Sequence, residues 1–177
     1  MEAQNVTSLV IVVHEASSLQ PFREEQLQRP GVTMPPHITV RSPFLPAAAI
    51  DEQVRHRLRR ICASFARFAF TLGRIGRFQN PGVLYLVPEP TESFHNLSEA
   101  IREEFLLEAV GRPVFHLTLA GWHPSELDRI EQTFRVRYAD QLPIEAQATD
   151  ISLYERVGQM WVQDSEFPLC MTERRKG

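Results

Sequence analysis

Pro36-His37-Ile38-Thr39-Val40 is echoed, 79 positions later, by Phe115-His116-Leu117-Thr118-Leu119: the form His-apolar-Thr-apolar occurs twice. In an extended strand alternate side chains share a face. His37 and Thr39 therefore point one way, with Ile38 and Val40 behind them in the core. His116 and Thr118 do the same in front of Leu117 and Leu119. Each copy presents an imidazole and a hydroxyl on a strand anchored by two apolar groups. One such tetrapeptide is common by chance. Two, each after a structural break and each ahead of a helix, fit two related lobes facing one another.

The flanking sequence supplies the elements. Val6 to Val13 is a β-branched apolar run that reads as a buried strand. Ser17 to Gln28 is ambiguous, with Pro21 suited to the first turn of a short helix and Arg29-Pro30-Gly31 as a break. Asp51 begins a helix to about Ser64, with Val54, Leu58 and Ile61 at helical spacing. Phe65 to Leu72 alternates as a strand, and Asn80-Pro81-Gly82 turns it into Val83 to Val87. Thr91 or Ser93 opens a helix to about Val110, ended by Gly111 and Pro113. Val114 to Ala120 is the second motif strand, and Pro124 opens a helix to about Tyr138. Ala146 to Tyr154 and Gln159 to Phe167 form a last hairpin. This mixture predicts an α+β fold with largely antiparallel sheets.

The 177 residues suit one domain, and 43% hydrophobic residues suffice for a core. No apolar run approaches the ~20 residues that span a bilayer, and the first residues lack the features of a secretory signal. Two distant cysteines, Cys62 and Cys170, make no disulfide framework. A soluble cytoplasmic protein is expected. Net charge is −3, which argues against coating a long polyanion. The charge is unevenly spread. Residues 1–88 carry ten basic and six acidic groups, net +4, and residues 89–177 carry nine and sixteen, net −7.

Two histidines can divide acid and base duties near neutral pH. Two threonine hydroxyls can donate hydrogen bonds to phosphoryl oxygens. That inventory suits in-line phosphodiester chemistry without a metal. Zinc at His37 and His116 is the weaker reading, because no Cys or carboxylate stands with them at ligand spacing.

The motif pair resembles that of the 2H phosphoesterase superfamily, in its bacterial 2′-5′ RNA ligase-like branch, and the strand–helix order extends the likeness over nearly the whole chain. The resemblance implies a single domain over residues 1–177 made of two interleaved lobes. Its fold would be bilobal α+β, with two mainly antiparallel sheets in pseudo-twofold symmetry facing a central cleft, helices packed outside and no metal or other cofactor. It implies cleavage of 2′,3′-cyclic or 2′-5′ phosphodiester bonds of RNA ends or nucleotides, and ligation in reverse. His37 and His116 would be catalytic, and Thr39 and Thr118 would hold the phosphate. Which histidine is the base stays open. The alternative is a nucleotide or RNA-end binding module without turnover.

Further substrate contacts are sought nearby. Arg41 alternates onto the face of His37 and Thr39, as a phosphate contact. Arg23 is a weaker candidate for the same role. Tyr85 would stack on a base or else pack between sheet and helix. Tyr154 would reach the cleft mouth from a hairpin or else lie at the surface. His123, in Gly121-Trp122-His123-Pro124, is expected only to lead into a helix, and His56 and His95 are expected to be exposed. Arg55 to Arg60 would guide RNA or simply form a solvated helix face. A monomer acting on a small nucleotide or RNA terminus, away from membranes, is the expected state.

Overall fold

A computed structural model describes residues 5–27, 34–109 and 111–171; the break expected at 29–31 lies outside them. The chain runs β1 (Thr7–Val12), a 3₁₀ segment (His14–Leu19), α1 (Gln20–Leu27), β2 (His37–Arg41), α2 (Glu52–Ser64), β3 (Phe68–Phe78) and β4 (Val83–Glu89). It continues through α3 (Glu92–Glu104), β5 (Leu117–Ala120), α4 (Leu127–Tyr138), β6 (Ile144–Ala148), β7 (Asp150–Val157) and β8 (Met160–Pro168). The α+β expectation holds.

The two expected sheets are instead one eight-stranded sheet in the order β6-β3-β4-β5-β2-β1-β7-β8. Every pairing between its strands is antiparallel. The halves meet between β2 and β5 through a single residue pair, Ile38 with Leu117. One half, β3 to β6, comes from the middle of the chain; the other joins β1 and β2 to β7 and β8. Thr149 alone separates β6 at one edge from β7 near the other. A one-residue link can span that order only if the sheet curls round, as twisted strands allow. The bridge between Ala66 and Cys170 ties the same two regions together.

The main core covers one face of the curled sheet. Leu9, Ile38, Leu72, Leu86, Leu117 and Leu153 from the strands meet Phe22, Leu58, Phe94 and Phe134 from the four helices. Burying each aliphatic side chain contributes about 2 kcal/mol. Asp51 caps α2 by accepting from Val54 N at 2.8 Å, worth about 1 kcal/mol. The opposite face carries two smaller apolar strips: Val10, Met34 and Tyr154, and Val83, Tyr85 and Val87.

Several boundaries differ from expectation. α3 stops at Glu104, short of 110, because Leu106 takes φ +52° and the partly buried Phe105 and Leu107 turn back onto the core. β5 starts at Leu117, so His116 stands just before the strand, after a segment that makes no ladder. Pro113, lacking an N–H, suits that segment. The run Ala146 to Tyr154 is two strands, β6 and β7, that alternate without an obvious break although they lie far apart in the sheet. β3 runs on to Phe78, passing an irregularity between Leu72 and Arg74.

Candidate active site

The second face of the sheet holds the motif residues at its middle. Ile38, Val40, Leu117 and Leu119 are buried, and His37, Thr39, Arg41, His116 and Thr118 are half-buried. That is the alternation expected of both tetrapeptides. With Ile38 opposite Leu117, the antiparallel register sets His37 across from Thr118, and Thr39 across from His116. Directly opposed Cβ atoms lie about 5 Å apart and diagonal ones about 7–8 Å. Four polar groups thus form a compact quadrilateral whose diagonal joins the two imidazoles.

Both rings are held in one tautomer by the same device. His37 Nδ1 donates to the Pro35 carbonyl at 2.8 Å, and His116 Nδ1 donates to the Val114 carbonyl at 2.7 Å. A carbonyl can only accept, so each neutral ring keeps its lone pair on Nε2. Their surroundings differ. His116 packs against Phe78 and Tyr85, with ring centroids 5.2 and 5.0 Å away. Burial lowers its proton affinity. Burial lowers that of His37 further, to a pKa of about 4, helped by the Arg23 guanidinium.

Two cavities flank this row and share Thr39 and Ser42. One, of about 640 Å³, includes His116, Arg41, His95, Asn96 and Arg102 in its walls. The other, of about 680 Å³, includes His37, Thr118, Arg23, Trp122, Arg156 and Trp161. No cluster of three or more His, Cys, Asp or Glu side chains able to hold a metal ion occurs among the described residues.

The remaining candidates are distributed unevenly. Arg41 lies on the motif face; its Nη2 donates to the Glu108 carbonyl at 3.0 Å, and its buried Nε has no hydrogen-bond partner among the described residues. Tyr85 is buried beside His116 and pairs with Thr118 across β4 and β5. Tyr154 is buried among Val10, Met34 and Trp161, not at the surface. It sits in the interior strand β7, several residues before the turn into β8. Neither tyrosine lines either of these two cavities.

His123 does lead into a helix: its Nε2 donates to the Gln26 carbonyl at 2.7 Å, and its N–H to the Gly82 carbonyl at 3.1 Å. His56 is exposed, but His95 is half-buried in the first cavity wall, its ring 4.8 Å from that of Phe115. The arginines of α2 are neutralised. Arg55 pairs with Asp164, Arg57 and Arg60 with Glu104, and Arg59 with Glu52. A paired helix face describes them better than an RNA guide.

Trp122 and Trp161 were not foreseen in the cavity wall. Trp122 takes φ +67°, a conformation that costs a bulky residue about 1–3 kcal/mol. Gly82, at φ +88°, makes room for it, because a β-carbon there would collide with the backbone of His123 and Pro124. No local period signals it, since Ala120 joins Leu119 in the core and Trp122 leaves the extended conformation.

A family model for the 2′-5′ RNA ligase superfamily matches residues 12–159. No curated protein sequence matches the chain. Among solved structures, a phosphoesterase superposes with a TM-score of 0.63 at 15% identity, over 95% of this chain and 99% of that one. E. coli LigT bound to ATP gives 0.60 at 14% identity, over 94% and 98%. The same protein bound to 3′-AMP gives 0.62 at 14% identity, over 95% and 99%. At these identities the structures show likeness of fold.

Proposed function

Because the chain belongs to the 2′-5′ RNA ligase superfamily of 2H phosphoesterases, we propose that it cleaves 2′,3′-cyclic phosphates or 2′-5′ phosphodiester bonds of nucleotides or RNA ends. The observation that carries this reading is the quadrilateral of His37, Thr118, Thr39 and His116, with both imidazoles presenting Nε2. One histidine takes a proton from water as it attacks phosphorus, and the other protonates the departing ribose oxygen. The Thr39 and Thr118 hydroxyls donate to the non-bridging oxygens, where charge redistributes. Reversed, the same groups close a phosphodiester.

The phosphate-bearing ligands named for E. coli LigT, ATP and 3′-AMP, support a nucleotide as the ligand class. Arg41 and Arg23 beside the row supply positive charge, and the tryptophans of the second cavity supply surfaces on which a base can stack. Each half of the sheet contributes one histidine, so residues 1–177 act as one catalytic unit, and a single chain in the cytoplasm suffices. The work is assigned to side chains without a metal.

The test is an assay of 2′,3′-cyclic nucleotides and a 2′-5′-linked dinucleotide, with and without EDTA. Hydrolysis that survives EDTA is expected. Binding without turnover would instead mark a non-catalytic module, and loss of activity with EDTA would bring in a metal.

A further inference from the structure

Arg23 is the largest of the fully buried side chains, 1% exposed, in a helix whose neighbouring Glu24 faces solvent. A guanidinium is costly to bury unless its donors are met and its charge has a use. Its Nε donates to the Thr118 carbonyl at 2.8 Å. Its Nη1 donates to the Met34 carbonyl at 3.2 Å and to Gln20 Oε1 at 2.5 Å. Among the described residues no carboxylate forms an ion pair with it. Thr118 belongs to the second motif, and Met34 opens the Met34-Pro35-Pro36 segment that delivers His37. One side chain therefore grips both motif segments where a single pair, Ile38 with Leu117, joins the halves of the sheet.

The cation also breaks the equivalence of the two motifs. The rings are tied alike through Nδ1, but Arg23 stands in the same cavity wall as His37, whereas His116 rests on the Phe78 and Tyr85 rings. The other charged or titratable groups around His37 are His116 across the junction and Arg156 from β7; no described carboxylate belongs to that wall. The cavity at His116 holds Arg41, His95, Glu99 and Arg102, the last two paired with each other.

We propose that Arg23 is a positioning residue that makes the two histidines unequal, holding His37 as the neutral base and leaving His116 as the proton donor. This rests on the phosphodiesterase reading above. The lowered proton affinities agree: His37 feels Arg23 as well as burial, and no cation adds to the burial of His116. A proton shared by the pair resides on His116. In hydrolysis the water oxygen bonds to phosphorus as the bond from phosphorus to one ribose oxygen breaks. The water proton passes to His37 Nε2, the His116 Nε2 proton passes to the ribose oxygen, and solvent exchange resets the pair.

The experiment is an NMR titration of both imidazoles in the wild-type protein and in Arg23→Met and Arg23→Lys, with the pH profile of kcat/KM on a 2′,3′-cyclic nucleotide. In the wild type His37 titrates below His116. In Arg23→Met the His37 midpoint rises by about one pH unit, a tenfold change in proton affinity, while His116 moves less. The acid limb of kcat/KM rises with it, and Arg23→Lys largely restores the low midpoint. Wild-type midpoints in the opposite order overturn the proposal, even if Arg23→Met cannot be folded. So do unchanged midpoints, or equal shifts of both rings, in a folded Arg23→Met. The titrations need no turnover, so a wild-type protein inactive on cyclic phosphates would sink the hydrolase reading separately from the ordering of the histidines.

Discussion

The ring of Tyr85 covers Gly76. A β-carbon on Gly76 would come 2.6 Å from Tyr85 Cζ, and the two residues face each other across β3 and β4. Tyr85 in turn supports the His116 ring. A hydrogen at position 76 is therefore what lets the imidazole rest on an aromatic floor. Gly76→Ala should push Tyr85 toward His116, lower kcat by about tenfold and cost about 1–3 kcal/mol of stability. Unchanged kcat and melting temperature would show that the ring can move aside freely.

Removing either imidazole should be far more damaging. His37→Ala and His116→Ala should each lower turnover of a 2′,3′-cyclic nucleotide by ~10² or more. Thr39→Val and Thr118→Val, which keep shape and remove the donor, should cost about tenfold or more. Circular dichroism of each variant checks that the fold persists; a folded His37→Ala enzyme with full activity contradicts the assignment.

Acid should destabilise the protein in a window set by His37. Its folded pKa of about 4 lies below the ordinary 6.5, so between these values the unfolded chain binds the proton more readily. Stability therefore falls as pH drops from 6.5 to 4, by about 2 kcal/mol for a ring still partly exposed, and this contribution is constant below that range. Urea midpoints at pH 7 and pH 4.5 measure it, and His37→Gln should flatten the difference. Glu104, Glu131 and Asp164, held low chiefly by hydrogen bonds to arginines against the opposing effect of burial, lose their contribution as pH falls from the ordinary carboxylate range toward their lowered values, so the difference that His37→Gln removes is what isolates the histidine.

Neutralising α2 should leave substrate binding alone. Arg55→Ala and Arg60→Ala remove exposed ion pairs, each worth less than about 1 kcal/mol. KM for a cyclic nucleotide or a short RNA should be unchanged at low and high salt. A salt-dependent rise in KM would restore the helix as an RNA guide.

The motif geometry was legible because a period of two is local: nothing beyond Pro36 to Val40 and Phe115 to Leu119 was needed to say which side chains share a face. The α2 helix was legible for a similar reason, with Asp51 at its cap and Val54, Leu58 and Ile61 in its stripe. The joining of two sheets into one was not legible, since it depends on Ile38 meeting Leu117 across the whole middle of the chain. Nor was the division at Thr149, where alternation continues through a change of partners. The place of Arg23 was not legible, because an arginine in a short amphipathic helix normally faces water; the packing of α1 against β5 encloses it. For Tyr154 the local sequence shows only its nearness to a turn, whereas the place of its strand between β1 and β8 decides its burial.

The uneven charge of the two sequence halves has its counterpart in space. Arginines before residue 89 reach carboxylates after it: Arg55 to Asp164, Arg57 to Glu104, and Arg77 to Asp128 and Glu131. Opposite signs thus meet between distant segments of the folded chain, which leaves the cavity arginines as a local positive feature of a mildly acidic protein.

The topology also orders events in time. During synthesis β1 and β2, with His37, emerge well before β7, the strand that pairs with β1 on its outer side. The middle strands that support His116 are complete before then. A chain cut before β7 keeps both motif strands but lacks the strand that pairs with β1, so on the proposed mechanism it should lose turnover.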